Sequence, residues 1–395
     1  MPPLPDPFNA FVADAQGADA EPKTGSLSGL SLAVKDIFDV KGQKTGGGNP
    51  QMLAEAATAA STAPAIRALL DAGARYIGRT QTDELAFSLM GDNAHYPRPV
   101  NPAAPERATG GSSSGSAAAV AGGLADIASG SDTGGSIRAP ASFCGLLGLR
   151  TTHGLIPLEG AMPLAPSFDT FGWFAKDAEV YERVGRIFFA QGGRPGRLFR
   201  LGALDALVLG GAEAGEYDRM LRLVEEASGP VREMPALAHA IDDLYGCFRR
   251  LQAREAWAAH GTFISAKERR LGPGVKERFE FGRTVAADTA VEETRRRTAF
   301  RAELADRLGD DGLLVLPTVP GPAPRRDAGF DAQQAYRERA LRLLCLSGLS
   351  GFPQITIPLG RVDGAPFGIS LLGPAGSDLA LIRLARRILA ANGKD

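Results

Sequence analysis

A lysine lies at the centre of an apolar segment in the first tenth of the chain. The segment from Leu30 to Phe38, LSLAVKDIF, is typical of a strand, and Lys35 stands in its middle. Burying a charged ammonium group is costly, so burial would lower the pKa of Lys35 and leave a neutral amine that can act as a base. The alternative is that the side chain faces solvent or pairs with Asp36 or Asp39. The strand alone does not decide between these interpretations.

A Gly- and Ser-rich segment, GGSSSGS from Gly110 to Ser116, precedes an Ala-rich stretch that predicts a short helix. Glycines permit unusual backbone conformations, and the start of a helix offers free N–H groups and the positive end of a dipole. Such a helix start could hold a phosphate. The GxxxxGK[ST] pattern of a P-loop is absent, however, and so is a GxGxxG motif with a suitable acid. Nucleotide binding is therefore not indicated.

A second segment of this kind, GSDTGGSIR from Gly130 to Arg138, places several backbone N–H groups directly before a serine. Successive amides from Thr133 to Ser136 could converge on an oxyanion and stabilise it. The alternative is a capped tight turn. Because a serine hydroxyl is a weak nucleophile at neutral pH, Ser136 would need a base nearby, and a neutral lysine could start such a relay.

The order of these segments resembles the amidase signature family. The matching residues are the lysine in a VKD strand, then GGSSSGSAAAVAGG, then GSDTGGSIRAPASFCGLLGLRTTHG, and the two serines Ser112 and Ser136 are 24 residues apart, as in that family's pattern. The similarity is strong over about 30–180, weaker over 180–310, and returns around LVLPT and GFPQITIPLG. The resemblance implies an α/β fold: a single amidase-signature domain with a central, mostly mixed β-sheet sandwiched by α-helices.

The resemblance also implies a role for each matching residue. Ser136 would be the nucleophile, Ser112 the middle serine on a cis peptide bond, and Lys35 the final base. The oxyanion hole would consist of the amides of Thr133, Gly134, Gly135 and Ser136. Three further residues would support the site: Ser113, Asp132 and Arg138.

This relay would hydrolyse a small carboxylic amide through an acyl-enzyme. Lys35 would accept a proton from Ser112 while Ser112 accepts one from Ser136, and Ser112 would then protonate the leaving nitrogen. The stretches GDNAHYPRPVNP and SFDTFGWFA are similar to amidases of the indole-3-acetamide hydrolase type. An aryl-acetamide is therefore the first expected substrate, and biuret-like or malonamide-like amides stay open.

Three other interpretations compete with this one. GSSSG also fits the GxSxG nucleophile elbow, which would make Ser113 the nucleophile and require a histidine, with His153, His239 or His260 as candidates. The amidase subunit of a tRNA-dependent amidotransferase would share the triad, although nothing basic in the chain indicates contact with tRNA. A non-catalytic scaffold with an amidase-like fold would lack triad residues, and all three are present here. His95 is expected to be structural or to line a pocket.

The composition is ordinary for a globular protein and excludes several partners. Apolar residues make up 44% of the 395 residues, and the net charge is −1, so no broad basic surface is available for nucleic acid or an anionic membrane. The amino terminus lacks a signal-peptide pattern, and no apolar run approaches the roughly 18–20 residues of a membrane span. The three cysteines are far apart without a CxxC pair, which favours a reducing cytoplasm and no Cys-ligated metal. We expect a small-molecule amide as ligand, no cofactor or metal, and a homodimer only by family analogy.

The chain is expected to form one domain, residues 1–395, in four parts. These are an irregular lead-in over 1–28, the signature core over 29–180, a variable helical region lining the substrate over 181–310, and the carboxy-terminal part of the core over 311–395. Apolar spacing predicts helices over 62–73, 116–124, 286–308 and from residue 378, and strands at 74–80, 124–130, 312–317 and 366–373. Segments 270–285 and 318–335 are expected to be loops at the edge of a pocket.

Overall fold

Two mixed β-sheets form the centre of the molecule. The computed structural model describes residues 6–16, 23–190 and 196–393. The strands of these ranges are β1 (Phe11–Gln16), β2 (Ser31–Lys35), β3 (Arg75–Thr80), β4 (Ile127–Ser131), β5 (Gly148–Arg150), β6 (Phe171–Ala175), β7 (Leu198–Arg200), β8 (Val231–Glu233), β9 (Leu313–Pro317), β10 (Gln354–Val362) and β11 (Ala365–Leu372).

Helices surround both sheets. In the same ranges they are α1 (Pro50–Glu55), α2 (Pro64–Asp71), α3 (Ser114–Ala121), α4 (Arg138–Cys144), α5 (Ala178–Phe188), α6 (Gly202–Asp205), α7 (Gly211–Ser228), α8 (Ile241–Ala266), α9 (Val275–Thr284), α10 (Ala287–Leu308), α11 (Phe330–Ser350) and α12 (Asp378–Ala391), with a short 3₁₀ turn at Glu84–Ala86. None of the helices in these ranges has the length and apolar character that crossing a bilayer requires.

The first sheet has the strand order β1-β3-β2-β4-β6, and the second has the order β5-β10-β11-β9-β7-β8. Both contain parallel and antiparallel pairs, which confirms the expected α/β domain with mixed strand pairing. The expected single sheet is divided in two, and the two sheets adjoin where the Thr151 hydroxyl donates to the Phe171 carbonyl over 2.9 Å. Strand β2 lies between β3 and β4, so both of its backbone edges are paired, and its last four residues are buried.

The parts of the chain that carry the site are well buried because small residues dominate there. Helix α3 is made of Ser, Gly, Ala and Val, and its first seven residues are buried against β4 and α4. Gly115 has no room for a larger side chain, since a Cβ atom there would lie 2.2 Å from the carbonyl oxygen of Ala10. The Ala- and Gly-rich composition thus allows close packing beneath the site and does not mark a flexible linker.

Two expectations about local structure are wrong. The lead-in over 1–28 contains strand β1, which pairs antiparallel with β3 at the edge of the first sheet. The Asp6 carboxylate accepts the amides of Ala10 and Phe11, each over 2.9 Å, where the chain enters this strand. Strand β1 has no clear alternation of apolar residues, so its own sequence does not predict a strand. Its pairing with β3, which is distant in the sequence, stabilises it.

Segment 270–285 is largely helix α9, because its glycines are confined to the turn before the helix. The Glu277 carboxylate accepts the Gly274 amide over 2.6 Å and caps the helix start. Segment 318–335 is non-helical only to Gly329, where α11 begins. The helical region 181–310 also contains the short strands β7 and β8, which belong to the second sheet.

Candidate active site

Lys35 is the last residue of β2 and has no exposed surface. Its Nζ atom lies 2.8 Å from the Ser112 hydroxyl and 2.9 Å from the Ser131 hydroxyl. The two aspartates considered as partners are engaged elsewhere: Asp36 pairs with Arg79 over 2.8 Å, and Asp39 accepts the Thr45 hydroxyl over 2.7 Å. Lys35 therefore points into the interior, toward hydroxyl groups rather than toward an adjacent carboxylate.

This environment makes the amine a base at neutral pH. Burial lowers the pKa of Lys35 from 10.5 to about 7, against the opposing effect of the negative charges of Asp83, Asp132 and Asp169. At pH 7 the neutral and charged forms are therefore present in comparable amounts. A neutral amine can donate one hydrogen to Ser131 and use its lone pair to accept the hydroxyl hydrogen of Ser112.

Ser112 is fully buried and follows a cis peptide bond to Gly111. Two backbone hydrogen bonds fix this segment, from the Gly111 amide to the Leu89 carbonyl over 2.8 Å and from the Asp83 amide to the Ser112 carbonyl over 3.1 Å. A Cβ atom on Gly111 would lie 2.0 Å from the Asp83 carboxylate, so only glycine fits at that position. The sequence pattern GGSS thus reflects close packing around the hydroxyl that meets Lys35.

The loop before Ser136 is organised around the carboxylate of Asp132, which is fully buried. Its oxygens accept the Gly135 amide over 2.8 Å and the Ile137 amide over 3.2 Å, and it forms ion pairs with Arg138 over 2.8 Å and Arg150 over 3.3 Å. Burial alone would raise the pKa of Asp132, but these two guanidinium groups and the amides hold it well below its usual range. Asp132 therefore stays charged and stabilises the turn.

Arg138 extends the support of this loop into the later part of the chain. Besides Asp132, its guanidinium group donates to the Leu344 carbonyl of α11 over 2.9 Å and to the Gln354 side chain of β10 over 2.6 Å. Asp132 and Arg138 lie where the support of the loop was expected, and Arg150 is a further member that sequence reasoning missed.

Three of the four amides considered for an oxyanion hole are free. The amides of Thr133, Gly134 and Ser136 have no acceptor in the part of the chain that the structure describes. The Gly135 amide donates to Asp132 instead, so the expected role of Gly135 as a donor is corrected. Its φ of +123° explains why glycine stands there.

Ser136 lies two residues before the first residue of α4, and 5% of its surface is exposed. Its hydroxyl has no hydrogen-bond partner among the described residues. Leu89 connects the loop of Ser136 with the segment of Ser112. The Leu89 carbonyl accepts the Gly111 amide, and the Leu89 Cδ1 atom lies 3.2 Å from the position that a Cβ atom on Gly135 would take. Since Ser131 contacts Lys35, the loop from 131 to 136 adjoins the Lys35–Ser112 pair at its Ser131 end, and Leu89 bridges its other end to Gly111.

The nucleophile-elbow interpretation is wrong. The Ser113 hydroxyl is buried and makes two long hydrogen bonds, to the Ser131 carbonyl over 3.3 Å and from the Ser131 amide over 3.4 Å. No candidate histidine in the described residues bonds to Ser113: His153 contacts the Pro166 carbonyl over 3.0 Å, His260 contacts the Pro163 carbonyl over 2.7 Å, and His239 has no hydrogen bond that reaches Ser113. Ser113 thus links the two Gly-Ser segments, which fits the supporting role implied for it.

His95 is structural, as expected. Its Nε2 atom lies 2.6 Å from the Glu84 carboxylate. Glu84 also accepts the Asn49 side chain over 2.7 Å and the Gly272 amide over 2.8 Å. These contacts connect the turn after β3 with the segment before α9.

Two buried acids of the site were not singled out from the sequence. Asp169 accepts the Thr133 hydroxyl over 2.6 Å and the amides of Leu164 and Ala165, and so holds the far side of the loop. Asp83 accepts the Gly91 amide over 3.0 Å, and burial raises its pKa to about 6. Asp169 lies within the motif SFDTFGWFA, which was the only available signal for it.

Two cavities lie in this part of the molecule, and the first borders the loop from 131 to 135. The first, of about 220 Å³, is bordered by Ser131 and Thr133 and is otherwise mainly apolar, with Phe38, Met162 and Leu164 among its walls. The second, of about 270 Å³, is formed by α8, α9 and α11. Segments 270–285 and 318–335, which were expected at the edge of a pocket, contribute residues to the second cavity.

Comparison with known proteins fits this architecture. The family model described as Amidase matches residues 8–191. Amidase 1 of Arabidopsis thaliana is 40% identical to this chain over 97% of the chain and 98% of the relative. A solved structure described as a crystal structure of amidase has a TM-score of 0.82 and 29% identity, over 93% of this chain and 86% of that one.

The chain belongs to the amidase family. It is an amide-hydrolysing enzyme built on a single α/β domain.

The name of another relative refers to a particular cellular location. The protein named translocon at the outer membrane of chloroplasts 64, of Pisum sativum, is 34% identical over 90% of this chain and 65% of that protein. Family membership therefore does not fix a location, and the cytoplasmic location stays a prediction.

Proposed function

We propose that this enzyme hydrolyses a small carboxylic amide to a carboxylic acid and ammonia, with Ser136 as nucleophile, Ser112 as proton carrier and Lys35 as base. The observation that carries the proposal is the 2.8 Å contact between the buried Lys35 amine and the Ser112 hydroxyl, beside the loop that ends at Ser136. A buried lysine with a pKa of about 7 and two hydroxyl neighbours is suited to accept and return a proton at neutral pH.

Acylation begins with proton transfer through both serines. Lys35 takes the hydroxyl proton of Ser112 as Ser112 takes that of Ser136, and the Ser136 oxygen bonds to the carbonyl carbon of the amide. The carbonyl π electrons move to oxygen and form an oxyanion. The free amides of Thr133, Gly134 and Ser136 support an assignment as its donors. One such donor is typically worth about 3–4 kcal/mol of transition-state stabilisation.

Collapse of the tetrahedral intermediate breaks the carbon–nitrogen bond. The leaving nitrogen takes a proton from Ser112, and Ser112 recovers one from Lys35, so ammonia leaves as a neutral molecule. Water then attacks the acyl-enzyme by the same relay and releases the acid. Asp132 and Arg138 do not touch the reacting atoms in this scheme, and they hold the amide donors in place.

The apolar first cavity supports an aryl-acetamide, such as indole-3-acetamide, as the first substrate to test. Phe38, Met162 and Leu164 offer a surface for a flat ring within reach of the loop at Thr133. We further propose a cytoplasmic enzyme, since the cysteines Cys144, Cys247 and Cys345 are all buried and unpaired. A homodimer stays a prediction by family analogy.

The test combines labelling of the nucleophile with a substrate panel. A fluorophosphonate probe should label the wild-type protein at Ser136, and Ser136→Ala should lose both labelling and ammonia release while keeping its thermal unfolding transition. The matched control is Ser88→Ala, because Ser88 lies in the turn near the site and its hydroxyl makes only a 3.4 Å contact with the Met90 amide.

The panel contains indole-3-acetamide, phenylacetamide, malonamide and glutamine, each monitored for ammonia. Release from glutamine alone would favour the amidotransferase subunit. Folded protein that neither reacts with the probe nor releases ammonia would favour the scaffold and overturn the proposal.

A further inference from the structure

The second cavity lies beside the loop that carries the proposed oxyanion donors. A Cβ atom on Gly134 would be 2.7 Å from the Phe248 ring and 3.2 Å from the Gln252 side-chain nitrogen, and both residues line this cavity. The loop and the cavity therefore share Phe248 and Gln252 as a common wall.

Three arginines line the cavity without a carboxylate partner. Arg249, Arg278 and Arg337 have no acidic oxygen within salt-bridge distance in the described part of the chain, although Glu277 and Glu338 border the same space. The Nε atoms of Arg278 and Arg337 are buried and have no hydrogen-bond partner. Arg250, adjacent on α8, shows the contrast, since it pairs with Glu293 over 2.7 Å.

The three arginines outnumber the two carboxylates, of Glu277 and Glu338, that border the same cavity. Burial, together with the charge of Arg337, lowers the pKa of Arg278 well below its usual value, and burial lowers the pKa of Arg337 as well. Guanidinium groups keep their charge in proteins, and a buried cation without a counter-ion is unfavourable. An incoming anion would supply the missing partner, and the planar guanidinium fork matches a carboxylate in geometry.

Aromatic residues form another part of the wall. Phe87, Phe248 and Phe281 line the cavity, and the Arg249 guanidinium lies 4.4 Å from the centre of the Phe281 ring. Arg278 similarly lies 5.5 Å from the Phe87 ring centre. Such contacts hold arginines in place over apolar surfaces while their donors stay free. The site suits a ligand with an apolar body that ends in an anionic group.

We propose that the second cavity is a specificity subsite for a carboxylate on the substrate, so that the preferred substrates are amides that carry a carboxylate as well as the scissile bond. This inference rests on the proposed function for the identity of the scissile bond. The carboxylate would belong either to the acyl part or to the amine part of the amide, and these are two cases that substrates can distinguish.

Four probe amides test the subsite and separate these two cases. N-phenylacetylglycine carries the carboxylate on the amine side, and its neutral counterpart is N-propylphenylacetamide. The monoamide of 1,4-phenylenediacetic acid carries it on the acyl side, and its neutral counterpart is 4-ethylphenylacetamide. For at least one pair, kcat/KM of the wild type should be higher for the anionic amide.

Substitution of the arginines should remove this preference. Arg278→Met and Arg337→Met should each lower the anionic-to-neutral ratio of kcat/KM by roughly tenfold or more, in line with the loss of a hydrogen bond to a charged group. Arg337→Lys, which keeps the charge, should recover part of the ratio. The matched control is Arg222→Met on the exposed face of α7, which removes the same charge far from the cavity and should leave the ratio unchanged.

Binding to Ser136→Ala protein, measured by calorimetry with the same four amides, makes the result independent of turnover. Tighter binding of an anionic amide that is lost in a Ser136→Ala, Arg337→Met double variant supports the subsite even if no amide is hydrolysed. Equal affinity for both members of each pair, or a preference that survives both arginine substitutions, overturns it. Hydrolysis of the neutral amides alone would overturn the subsite and leave the proposed function intact.

Discussion

Replacing Lys35 by methionine should stabilise the fold, and by an amount that depends on pH. Burial of the Lys35 amine lowers its pKa from 10.5 to about 7 and reduces the free energy of unfolding of the wild-type protein. Between these two values the unfolded chain binds a proton that the folded chain does not, so the stability of the wild type rises with pH across this window. Methionine fills a similar volume and carries no charge, so Lys35→Met lacks this dependence.

The magnitude follows from the two pKa values. At pH 9 the penalty of the wild type is about 2 kcal/mol, and at pH 6 it is about 5 kcal/mol, because 1 pKa unit corresponds to about 1.4 kcal/mol. The free energy of unfolding of Lys35→Met relative to the wild type should therefore increase by roughly 2–3 kcal/mol between pH 9 and pH 6. Loss of the hydrogen bonds to Ser112 and Ser131 lowers the stability of the variant by an amount that does not vary with pH.

Urea unfolding at pH 6, 7, 8 and 9 measures this difference, with Lys41→Met as the control because Lys41 is exposed. The control should show no pH-dependent difference from the wild type over this range. A difference between Lys35→Met and the wild type that stays constant from pH 6 to pH 9 would refute the reasoning, since it would mean that Lys35 is hydrated and charged in the folded protein.

Three further predictions concern the same site. The kcat/KM of the wild type should fall tenfold per pH unit below about pH 7, as Lys35 becomes protonated, and a flat profile between pH 5 and 8 would contradict its role as base. Gly111→Ala should lower the free energy of unfolding by about 1–3 kcal/mol, because the new Cβ atom would lie 2.0 Å from the buried Asp83 carboxylate, and unchanged urea unfolding would count against this packing. Asp132→Asn should lower the free energy of unfolding by about 3–5 kcal/mol, because Arg138 would lose its buried counter-ion. Thermal unfolding measures this loss, and a variant with a wild-type melting temperature would contradict the prediction.

The sequence was most informative where chemistry and local pattern coincide. Lys35 in an apolar strand left a buried base and a solvent-facing or paired side chain as alternatives, and the structure places its amine 2.8 Å from the Ser112 hydroxyl. The expected loop supports Asp132 and Arg138 likewise meet in an ion pair, because both belong to one short segment whose folding is local.

Contacts between distant segments escaped prediction. Strand β1 depends on β3 for its pairing, and its own residues carry little strand signal. Asp83 and Asp169 reach the site only through the fold. The motif SFDTFGWFA surrounds Asp169, but nothing near Asp83 along the chain distinguishes it from an ordinary buried acid. The Gly135 amide is a further example. The sequence shows how many backbone N–H donors precede Ser136, but it does not show that the Asp132 carboxylate accepts one of them.

The contacts of Arg138 have a consequence for the order in which the protein is made. Its guanidinium group needs acceptors from Leu344 and Gln354, both more than 200 positions later in the chain. On the ribosome, Lys35, Ser112 and Ser136 all emerge long before these acceptors do. A nascent chain therefore holds the proposed reactive groups before it has the whole scaffold that fixes their geometry, and we expect hydrolytic competence only after Gln354 has emerged.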